Sequence, residues 1–361
     1  MAEFCVTGGT GFIGAYLVKA LLEKGYLVRT TVRDPDDAEK VGFLWSMSGA
    51  KERLKVFKAD LMVEGSFEDA VDGVDGVFHT ASPVLVPYDS NIQASNMTHF
   101  NERPMALFGS SVCIHQFTYN RLTQNKTANV LKLQENLIDP CVEGTKNVLK
   151  SCAKASSVKR VVLTSSSSAI RYREDMTQAS PLNESHWSDP DYCKRYNLWY
   201  PYAKTLAEKA AWQLAEETGI DLVVVNPTFI VGPLITPQPT STLRMVLSYM
   251  KGEASVYPNF TVGFVHIEDV IACHIVAMED SRVTGRLICS STVAHWSEII
   301  EMLKATYPSY PITDKCGQQI GDNNPHRMDT SKIKQLGFSN FKTLAQMFDD
   351  CIKSFQVKGL L

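Results

Sequence analysis

Short apolar runs alternate along the chain with stretches in which apolar residues recur at helical spacing. Six runs have the length and composition of buried strands: Phe4–Val6, Tyr26–Val32, Leu54–Leu61, Gly76–Ser82, Arg160–Ser166 and Asp221–Pro227. Helical spacing is clearest over residues 15–22, 139–149 and 200–218, with Asp139 as the expected cap of the second helix. Strands that alternate with helices predict a doubly wound α/β fold built on a parallel sheet.

A glycine-rich turn joins the first strand to the first helix. Gly8 permits a tight turn, Gly11 lets the backbone approach a pyrophosphate, and Gly14 allows the helix to pack close to the strand. The phosphates are expected at the helix N-terminus, where free N–H groups and the helix dipole favour an anion. We therefore predict a Rossmann-type dinucleotide site. Its cofactor contacts in this turn are Gly8, Thr10, Gly11, Phe12, Ile13 and Gly14.

The residues after the second strand select between the two nicotinamide cofactors. An acidic residue there binds the ribose hydroxyls of NAD, whereas an arginine accommodates the 2′-phosphate of NADP. Arg33 and Asp34 are adjacent in this chain, so the rule alone is ambiguous. The neighbouring Arg29 and Lys40 make the region basic, which favours NADP. The alternative is that these are solvated surface charges.

The carboxyl ends of the next two strands are expected to line the same cleft, because ligands of open α/β sheets bind there. The third strand ends at Asp60 and Leu61, and the fourth at Thr80, Ala81 and Ser82. His79 lies within the apolar run of the fourth strand. We interpret it as a packed or hydrogen-bonded core residue, not as a catalytic one.

A tyrosine and a lysine stand four residues apart at the start of the long third helix, as Tyr200 and Lys204. On a helix these side chains share one face. Reduction of a ketone needs a proton donor beside the carbonyl oxygen, and a nearby ammonium group stabilises the phenolate of a tyrosine donor. Ser166, at the end of the preceding strand, can hydrogen-bond the same carbonyl. We predict Ser166, Tyr200 and Lys204 as the catalytic group, with Tyr200 and Lys204 also in contact with the cofactor.

Composition and charge limit the classes of protein that fit. The 361 residues are 44% hydrophobic and 21% charged, which is typical of a globular protein with a large core. The net charge of −3 does not indicate a nucleic-acid surface, and no apolar run approaches the ~20 residues that span a bilayer. Nine cysteines without a Cys-x-x-Cys pair, and a strand that begins almost at the first residue, favour a cytoplasmic protein with reduced, buried thiols. We assign no metal site.

Residues 94–134 break the pattern. This segment shows no clear period, and one acidic residue, Glu102, stands against four basic ones. A structureless segment of this length is uncommon inside a compact domain. We interpret it as an atypical, disordered insertion whose simplest origin is a translated intron, because Gln93 followed by Glu135 restores the pattern. The alternative is a genuine lid loop over the cleft.

These motifs resemble the extended short-chain dehydrogenase/reductase superfamily, in its plant branch of dihydroflavonol and cinnamoyl-CoA reductases. The glycine turn, residues 32–35, 58–61 and 76–81, the Tyr200 and Lys204 pair, residues 226–233, 264–270 and 328–330 carry the resemblance. It implies NADPH as cofactor, Arg33 and Lys40 near its 2′-phosphate, and further cofactor contacts at Pro227 and Thr228. It also implies an NADP-binding domain over residues 1–227, and a substrate lobe over 228–361 that returns in part to the sheet.

The range of possible substrates is narrowed by positions at which the sequence differs from both named types of reductase. Residues 197–204 depart from the cinnamoyl-CoA reductase signature, and Arg171 stands where dihydroflavonol reductases place an asparagine. Residues 169–173, 183–190 and 294–299 are most similar to the tetraketide α-pyrone reductases. That resemblance implies reduction of a ketone on a long-chain polyketide in sporopollenin synthesis, with association with other enzymes of that pathway left open. The alternatives are cinnamoyl-CoA or dihydroflavonol reduction, and an inactive cofactor-binding protein whose cleft the insertion obstructs.

Overall fold

A parallel sheet of seven strands forms the centre of the protein. The computed structural model describes residues 1–83, 132–317, 326–338 and 340–361. The strand order is β3-β2-β1-β4-β5-β6-β9, and every neighbouring pair runs parallel. The strands are β1 (Glu3–Thr7), β2 (Leu27–Val32), β3 (Leu54–Lys58), β4 (Gly76–His79), β5 (Arg160–Thr164), β6 (Leu222–Pro227) and β9 (Gly285–Cys289). The predicted doubly wound fold is confirmed.

Helices cover both faces of this sheet and continue into the C-terminal part. Those of the first half are α1 (Phe12–Glu23), α2 (Ala38–Trp45), α3 (Ala50–Arg53), α4 (Glu68–Val71), α5 (Asp139–Lys154), α6 (Met176–Ala179), α7 (Pro190–Arg195) and α8 (Trp199–Thr218). Those of the second half are α9 (Ser241–Met250), α10 (Ile267–Glu279), α11 (Trp296–Thr306), α12 (Ser331–Gln335) and α13 (Leu344–Val357). Helices α5 and α8 pack against each other, and α1 packs against α10.

The central strands are buried along their whole length, which explains their continuous apolar runs. Every residue of β4, β5 and β6 is buried. Strands covered by helices on both faces have no solvent side, so polar residues do not alternate with apolar ones. In the edge strand β3, by contrast, only Leu54 is buried, and Lys55 and Lys58 are exposed. The sequence pattern therefore distinguishes the interior of the sheet from its edge.

The chain reverses its direction across the sheet between β1 and β4. From β1 it moves outward through β2 to β3, and then returns to place β4 on the other side of β1. Thr7 and His79, the last residues of these two strands, lie opposite each other. Such a reversal opens a crevice beyond the carboxyl ends of the strands, where ligands of these folds bind.

The C-terminal part contributes a second sheet and also the last strand of the first. Strands β7 (Phe229–Val231), β8 (Thr261–His266) and β10 (Thr292–His295) form this smaller sheet in the order β10-β8-β7. The buried Trp296 packs against Phe229, Phe264 and Tyr249, with ring centroids 5.4–5.5 Å away. Strand β9 pairs with β6 in the main sheet. The division of the chain at residue 227 stays a prediction, although β9 returns to the sheet as that prediction requires.

The structure corrects two local expectations. The third, fourth and fifth strands end two or three residues before the predicted ends, so Asp60, Ser82 and Ser166 lie beyond the strands. Asp139 does not cap α5, because a π-helical turn over Gln134–Ile138 runs directly into it and Asp139 is its first residue. The Asp139 carboxylate instead accepts a hydrogen bond from the Gln134 side chain.

The insertion predicted over residues 94–134 lies almost entirely outside the described residues. Its last three residues, Lys132 to Gln134, are described and are helical. Leu133 packs beside Leu137 and Trp199. Regular structure is therefore already present three residues before the point that the sequence pattern indicated. The intron and lid interpretations both remain predictions.

Two expectations drawn from composition concern the burial of the cysteines and the lengths of the apolar helices. Eight cysteines lie in the described ranges; all eight are free thiols, and Cys316 alone among them is exposed. Seven of these eight are buried, as predicted. Within the same ranges, none of the helices is long and apolar enough to cross a bilayer.

Candidate active site

The turn between β1 and α1 is packed so closely that side chains would not fit. Gly8 has a φ of +75°, which favours glycine, and a Cβ on it would stand 3.0 Å from the Cα of Ala81. A Cβ on Gly14 would collide with the carbonyl oxygen of Gly8. On Gly9 a Cβ would collide with the Thr30 hydroxyl, whereas Gly11 is exposed at the mouth of the turn. The chain backbone itself thus forms the wall of the crevice.

The first turn of α1 has the features of an anion site. Gly11 precedes the helix and provides no side-chain cap, and no acidic residue lies in the first turn. The free N–H groups of this turn therefore face the open end of the crevice. Thr10 and Ile13 are partly exposed there, while Phe12 is buried beneath them. This cradle fits the pyrophosphate of a dinucleotide.

The Thr7 side chain joins the carboxyl ends of β1 and β4. Its Oγ1 accepts hydrogen bonds from the backbone N–H groups of Thr80 and Ala81, each at 3.1 Å. It also lies 2.8 Å from Nδ1 of His79. Burial and the nearby Lys204 charge lower the pKa of His79 to about 3, so the ring is neutral. His79 is confirmed as a packed, hydrogen-bonded core histidine.

The basic pair near the end of β2 is exposed and close together. Arg33 makes no hydrogen bond or ion pair within the part of the chain that the structure describes. Lys40 pairs with Asp37 at 2.6 Å; this contact raises the pKa of Lys40, and the positive charge of Arg33 opposes the rise. Asp34 accepts a hydrogen bond from the N–H of Asp36 and so caps a local turn. The guanidinium is therefore the group available to a 2′-phosphate.

The other predicted cofactor contacts lie around the same crevice. Asp60 is partly buried, and its carboxylate accepts a hydrogen bond from the N–H of Met62 at 2.8 Å. Leu61 packs over Gly144 of α5, where a Cβ would stand 2.8 Å from it. Thr228, which follows β6, is buried and directs its N–H to the Cys289 carbonyl at 3.1 Å. Pro227 is the last residue of β6 and is buried.

The structure brings Ser166, Tyr200 and Lys204 together beyond the end of β5. Ser166 accepts a hydrogen bond from the N–H of Ser168, and its side chain is close enough to the Tyr200 phenol to influence its pKa. Lys204 is buried one helical turn beyond Tyr200. Its ammonium donates to the Thr164 carbonyl at 3.2 Å and lies 3.5 Å from Oγ of Ser82. The end of β5, the end of β4 and the start of α8 thus meet at one point.

Burial governs the protonation of this group. It raises the pKa of the Tyr200 phenol well above its usual range, and the hydrogen bond to Ser166 opposes the rise. Burial also lowers the pKa of Lys204, while Cys141 and Glu208 raise it. Tyr200 therefore holds its proton at neutral pH and is suited to act as an acid. The Lys204 ammonium makes its own contacts with Thr164 and Ser82, one helical turn from the phenol.

Two neighbours of this group were not anticipated from the sequence. Cys141 of α5 is buried with its Sγ 3.4 Å from Oγ of Ser82. Glu208 of α8 is buried and binds Ser165, Asn226 and Arg286. The sequence signal that could have identified Glu208 is its spacing, because it lies four residues after Lys204 and therefore on the same face of the helix. It was not decisive because a glutamate on a helix is usually a surface residue.

Comparisons with known proteins agree with this architecture. A family model described as NAD(P)H-binding matches residues 8–246. The chain is 59% identical over the full length of both chains to a protein of Arabidopsis thaliana named tetraketide alpha-pyrone reductase 2. It is 38% identical to cinnamoyl-CoA reductase 1 of Petunia hybrida, covering 99% of this chain and 93% of that protein.

A solved structure gives the same result for the fold. The crystal structure of vestitone reductase from alfalfa (Medicago sativa) superposes with a TM-score of 0.75 at 32% identity, covering all of both chains. The chain therefore belongs to this family of NAD(P)H-binding plant reductases, as the resemblance implied. It is an oxidoreductase that uses a nicotinamide cofactor. The roles of the individual site residues remain predictions.

Proposed function

We propose that the protein is an NADPH-dependent reductase of a ketone on a tetraketide α-pyrone, acting in sporopollenin synthesis. The observation that supports this most is the convergence of Tyr200, Ser166 and Lys204 beside the glycine turn. It occurs in a chain 59% identical to a protein named tetraketide alpha-pyrone reductase 2. Identity over the full length of both chains favours a shared substrate class over a shared fold alone.

The side chains of the site define the proposed chemistry. When bound, NADPH supplies a hydride to the carbonyl carbon of the substrate. Tyr200, which is protonated at neutral pH, donates its proton to the carbonyl oxygen. Ser166 donates a hydrogen bond from its hydroxyl to the same oxygen, while its own oxygen accepts the N–H of Ser168. The Lys204 ammonium stabilises the phenolate left on Tyr200.

The proposed cofactor contacts follow the walls of the crevice. Gly8, Gly11 and Gly14 would admit the pyrophosphate to the N-terminus of α1, with Thr10, Phe12 and Ile13 around it. Arg33 and Lys40 would hold the 2′-phosphate and so favour NADPH over NADH. The remaining contacts that we propose are Asp60, Leu61, Thr80, Ala81, Ser82, Pro227 and Thr228.

A cytoplasmic location is also part of the proposal. Free thiols at all eight described cysteines are typical of proteins kept in a reducing compartment. Association with other enzymes of the same pathway is a separate proposal, which co-purification from the tissue that makes the protein tests.

The test of the substrate is a comparison of three compounds with purified protein and NADPH. We expect a tetraketide α-pyrone to be consumed with one equivalent of NADPH, at a kcat/KM well above those of a dihydroflavonol and of cinnamoyl-CoA. Preference for cinnamoyl-CoA, or absence of turnover with all three despite NADPH binding, would reject the proposed substrate.

A further inference from the structure

Glu208 is a buried carboxylate one helical turn beyond Lys204, and it contacts residues beyond β5, on β6 and on β9, as well as Trp212 on its own helix. It is 1% exposed. Oε2 accepts hydrogen bonds from Oγ of Ser165 at 2.5 Å and from Nδ2 of Asn226 at 2.8 Å. Oε1 accepts from Nε of Arg286 at 2.6 Å. The carboxylate is therefore paired and hydrogen-bonded through both oxygens, as a buried charge requires.

Three strands of the main sheet meet at this carboxylate. Ser165 follows β5, Asn226 belongs to β6 and Arg286 belongs to β9. The same Nδ2 of Asn226 also donates to the backbone carbonyl of Ser166 at 3.1 Å. Glu208 thus holds the Ser165 side chain directly and the Ser166 backbone through Asn226.

Arg286 extends this network to the segment that follows Ser166. Its guanidinium donates to the backbone carbonyls of Glu184, His186 and Ala169, and stacks on the Trp187 ring at 4.0 Å. Ala169 ends the short helical turn that begins at Ser167. The backbone on both sides of the Ser166 hydroxyl is therefore fixed by the Glu208 and Arg286 pair.

Stability alone is a weak explanation for such a pair. The cost of removing two charges from water is often as large as their attraction, and apolar replacements are frequently as stable. Glu208 instead contacts Ser165 directly and reaches Ser166 through Asn226, and Ser166 is the serine whose side chain influences the pKa of Tyr200. A displacement of the Ser166 hydroxyl by about 1 Å would be expected to cost roughly 10²-fold in rate.

We propose that Glu208 is a positioning residue for the reduction, which holds Ser165 and Asn226 so that the Ser166 hydroxyl faces Tyr200 and the substrate carbonyl. This inference rests on the proposed function, because it assigns Ser166 a role in that reaction. It predicts that Glu208 affects turnover through Ser166 and leaves cofactor binding unchanged.

The test is a double-mutant cycle between Glu208→Gln and Ser166→Ala, measured with the ketone that the wild type reduces best. Glu208→Gln should lower kcat about 10²-fold, with the Kd for NADPH within about twofold of wild type. In the Ser166→Ala background the same substitution should have no further effect on kcat. Glu216→Gln, an exposed carboxylate on the same helix, is the matched control and should behave as wild type.

A second variant covers the case in which Glu208→Gln does not fold. Ser165→Ala leaves the ion pair with Arg286 intact and removes one of the contacts that hold the strand end. It should lower kcat and leave the melting temperature unchanged. In the Ser166→Ala background it should have no further effect on kcat. Losses that multiply in the double variants, or a wild-type kcat in Glu208→Gln, would overturn the positioning role. Failure of the wild type to reduce any ketone would instead reject the proposed function.

Discussion

Thr7 illustrates how one hydroxyl fixes two strand ends at the site. Its oxygen accepts the backbone N–H groups of Thr80 and Ala81, and its proton is directed to the neutral His79 ring. Thr80 returns a hydrogen bond from its own hydroxyl to the Thr7 carbonyl at 2.6 Å. The crevice between β1 and β4 therefore has walls of defined separation before any ligand enters.

At the scale of the residue, Tyr200→Phe tests the proposed acid. The substitution removes the proton donor and keeps the ring, so kcat should fall ~10²–10⁴-fold while NADPH binding changes little. Steady-state kinetics and fluorescence titration with NADPH measure the two effects. Tyr196→Phe, at an exposed tyrosine four residues before Tyr200, provides the control. Wild-type turnover by Tyr200→Phe would exclude this residue as the acid.

Arg33→Ala tests the choice of cofactor. Loss of the exposed guanidinium should weaken NADPH binding ~10–100-fold, because a hydrogen bond to a charged group contributes about 1.5–3 kcal/mol. NADH binding should be nearly unchanged, since NADH lacks the 2′-phosphate. Lys19→Ala removes a positive charge of α1 that pairs with Glu23, and it controls for the change in net charge. An equal loss for both cofactors in titrations would remove Arg33 from the 2′-phosphate role.

At the scale of the element, six of the seven strands of the main sheet could be predicted, whereas β9 and the smaller sheet could not. Strands β4 to β6 are continuous apolar runs because they are buried on both faces, so their pattern is local. Strands β7 and β10 have only three and four residues, and β10 pairs with β8 antiparallel across a long stretch of sequence. Their pairing depends on tertiary contacts that no local period records.

The candidate site divides in the same way. The glycine turn and the pair Tyr200 and Lys204 are defined by residues close together in sequence, and the structure brings them to one edge of the sheet. Glu208 and Arg286 are 78 positions apart, and their pairing appears only when β9 returns to lie beside β6. The extent of the strands was overestimated because the hydroxyl residues that follow them suit a strand as well as a turn.

Substitution of two glycines should have opposite effects on stability. In Gly14→Ala the new methyl group would meet the Gly8 carbonyl, so the free energy of unfolding should fall by about 1–3 kcal/mol and NADPH binding should weaken. In Gly42→Ala nothing lies near the new group on the exposed face of α2, so stability should rise by about 0.5–1 kcal/mol. Urea unfolding measures both. If Gly42→Ala also lowers the free energy of unfolding, the space around each glycine does not determine the effect of the added methyl group.

At the scale of the whole molecule, four buried histidines should make stability depend on pH. Burial lowers the pKa of His79 and His326 to about 3 and that of His266 and His274 to about 4. An unfolded histidine has a pKa near 6.5, so above that pH the ring is neutral in both states and contributes no dependence. Between about pH 6.5 and 4 only the unfolded state takes up the proton. Each ring should then reduce the free energy of unfolding by about 1 kcal/mol per pH unit.

Urea unfolding at pH 7.5, 6.5 and 5.5 measures this dependence. His274→Asn should reduce the slope of the free energy of unfolding against pH by the contribution of one ring, about 1 kcal/mol per pH unit. This holds whatever the effect of the substitution on stability at neutral pH. A flat profile between pH 6.5 and 5.5 would show that the four rings are protonated in the folded protein.

Deletion of residues 94–134 tests the interpretation of that segment as a translated intron. Ile92 and Gln93 would then stand where Leu133 and Gln134 lead into α5, an apolar residue for an apolar one and an identical amide. The shortened protein should fold, melt no lower than the full chain, bind NADPH and reduce the ketone at least as fast. A lid loop predicts loss of turnover. A deletion variant that is folded and binds NADPH yet is inactive would reject the intron interpretation.

The position of β9 has a consequence for synthesis on the ribosome. Strand β6 is complete at Pro227, but the strand that covers its outer edge is not made until Cys289 has emerged, roughly 60 residues later. At ~5–20 residues per second this leaves the edge of an apolar strand open to other nascent chains for several seconds. Chaperones that bind extended apolar segments would act in that interval. Slower translation between these two points should therefore lower the yield of folded protein, while slower translation after residue 289 should not.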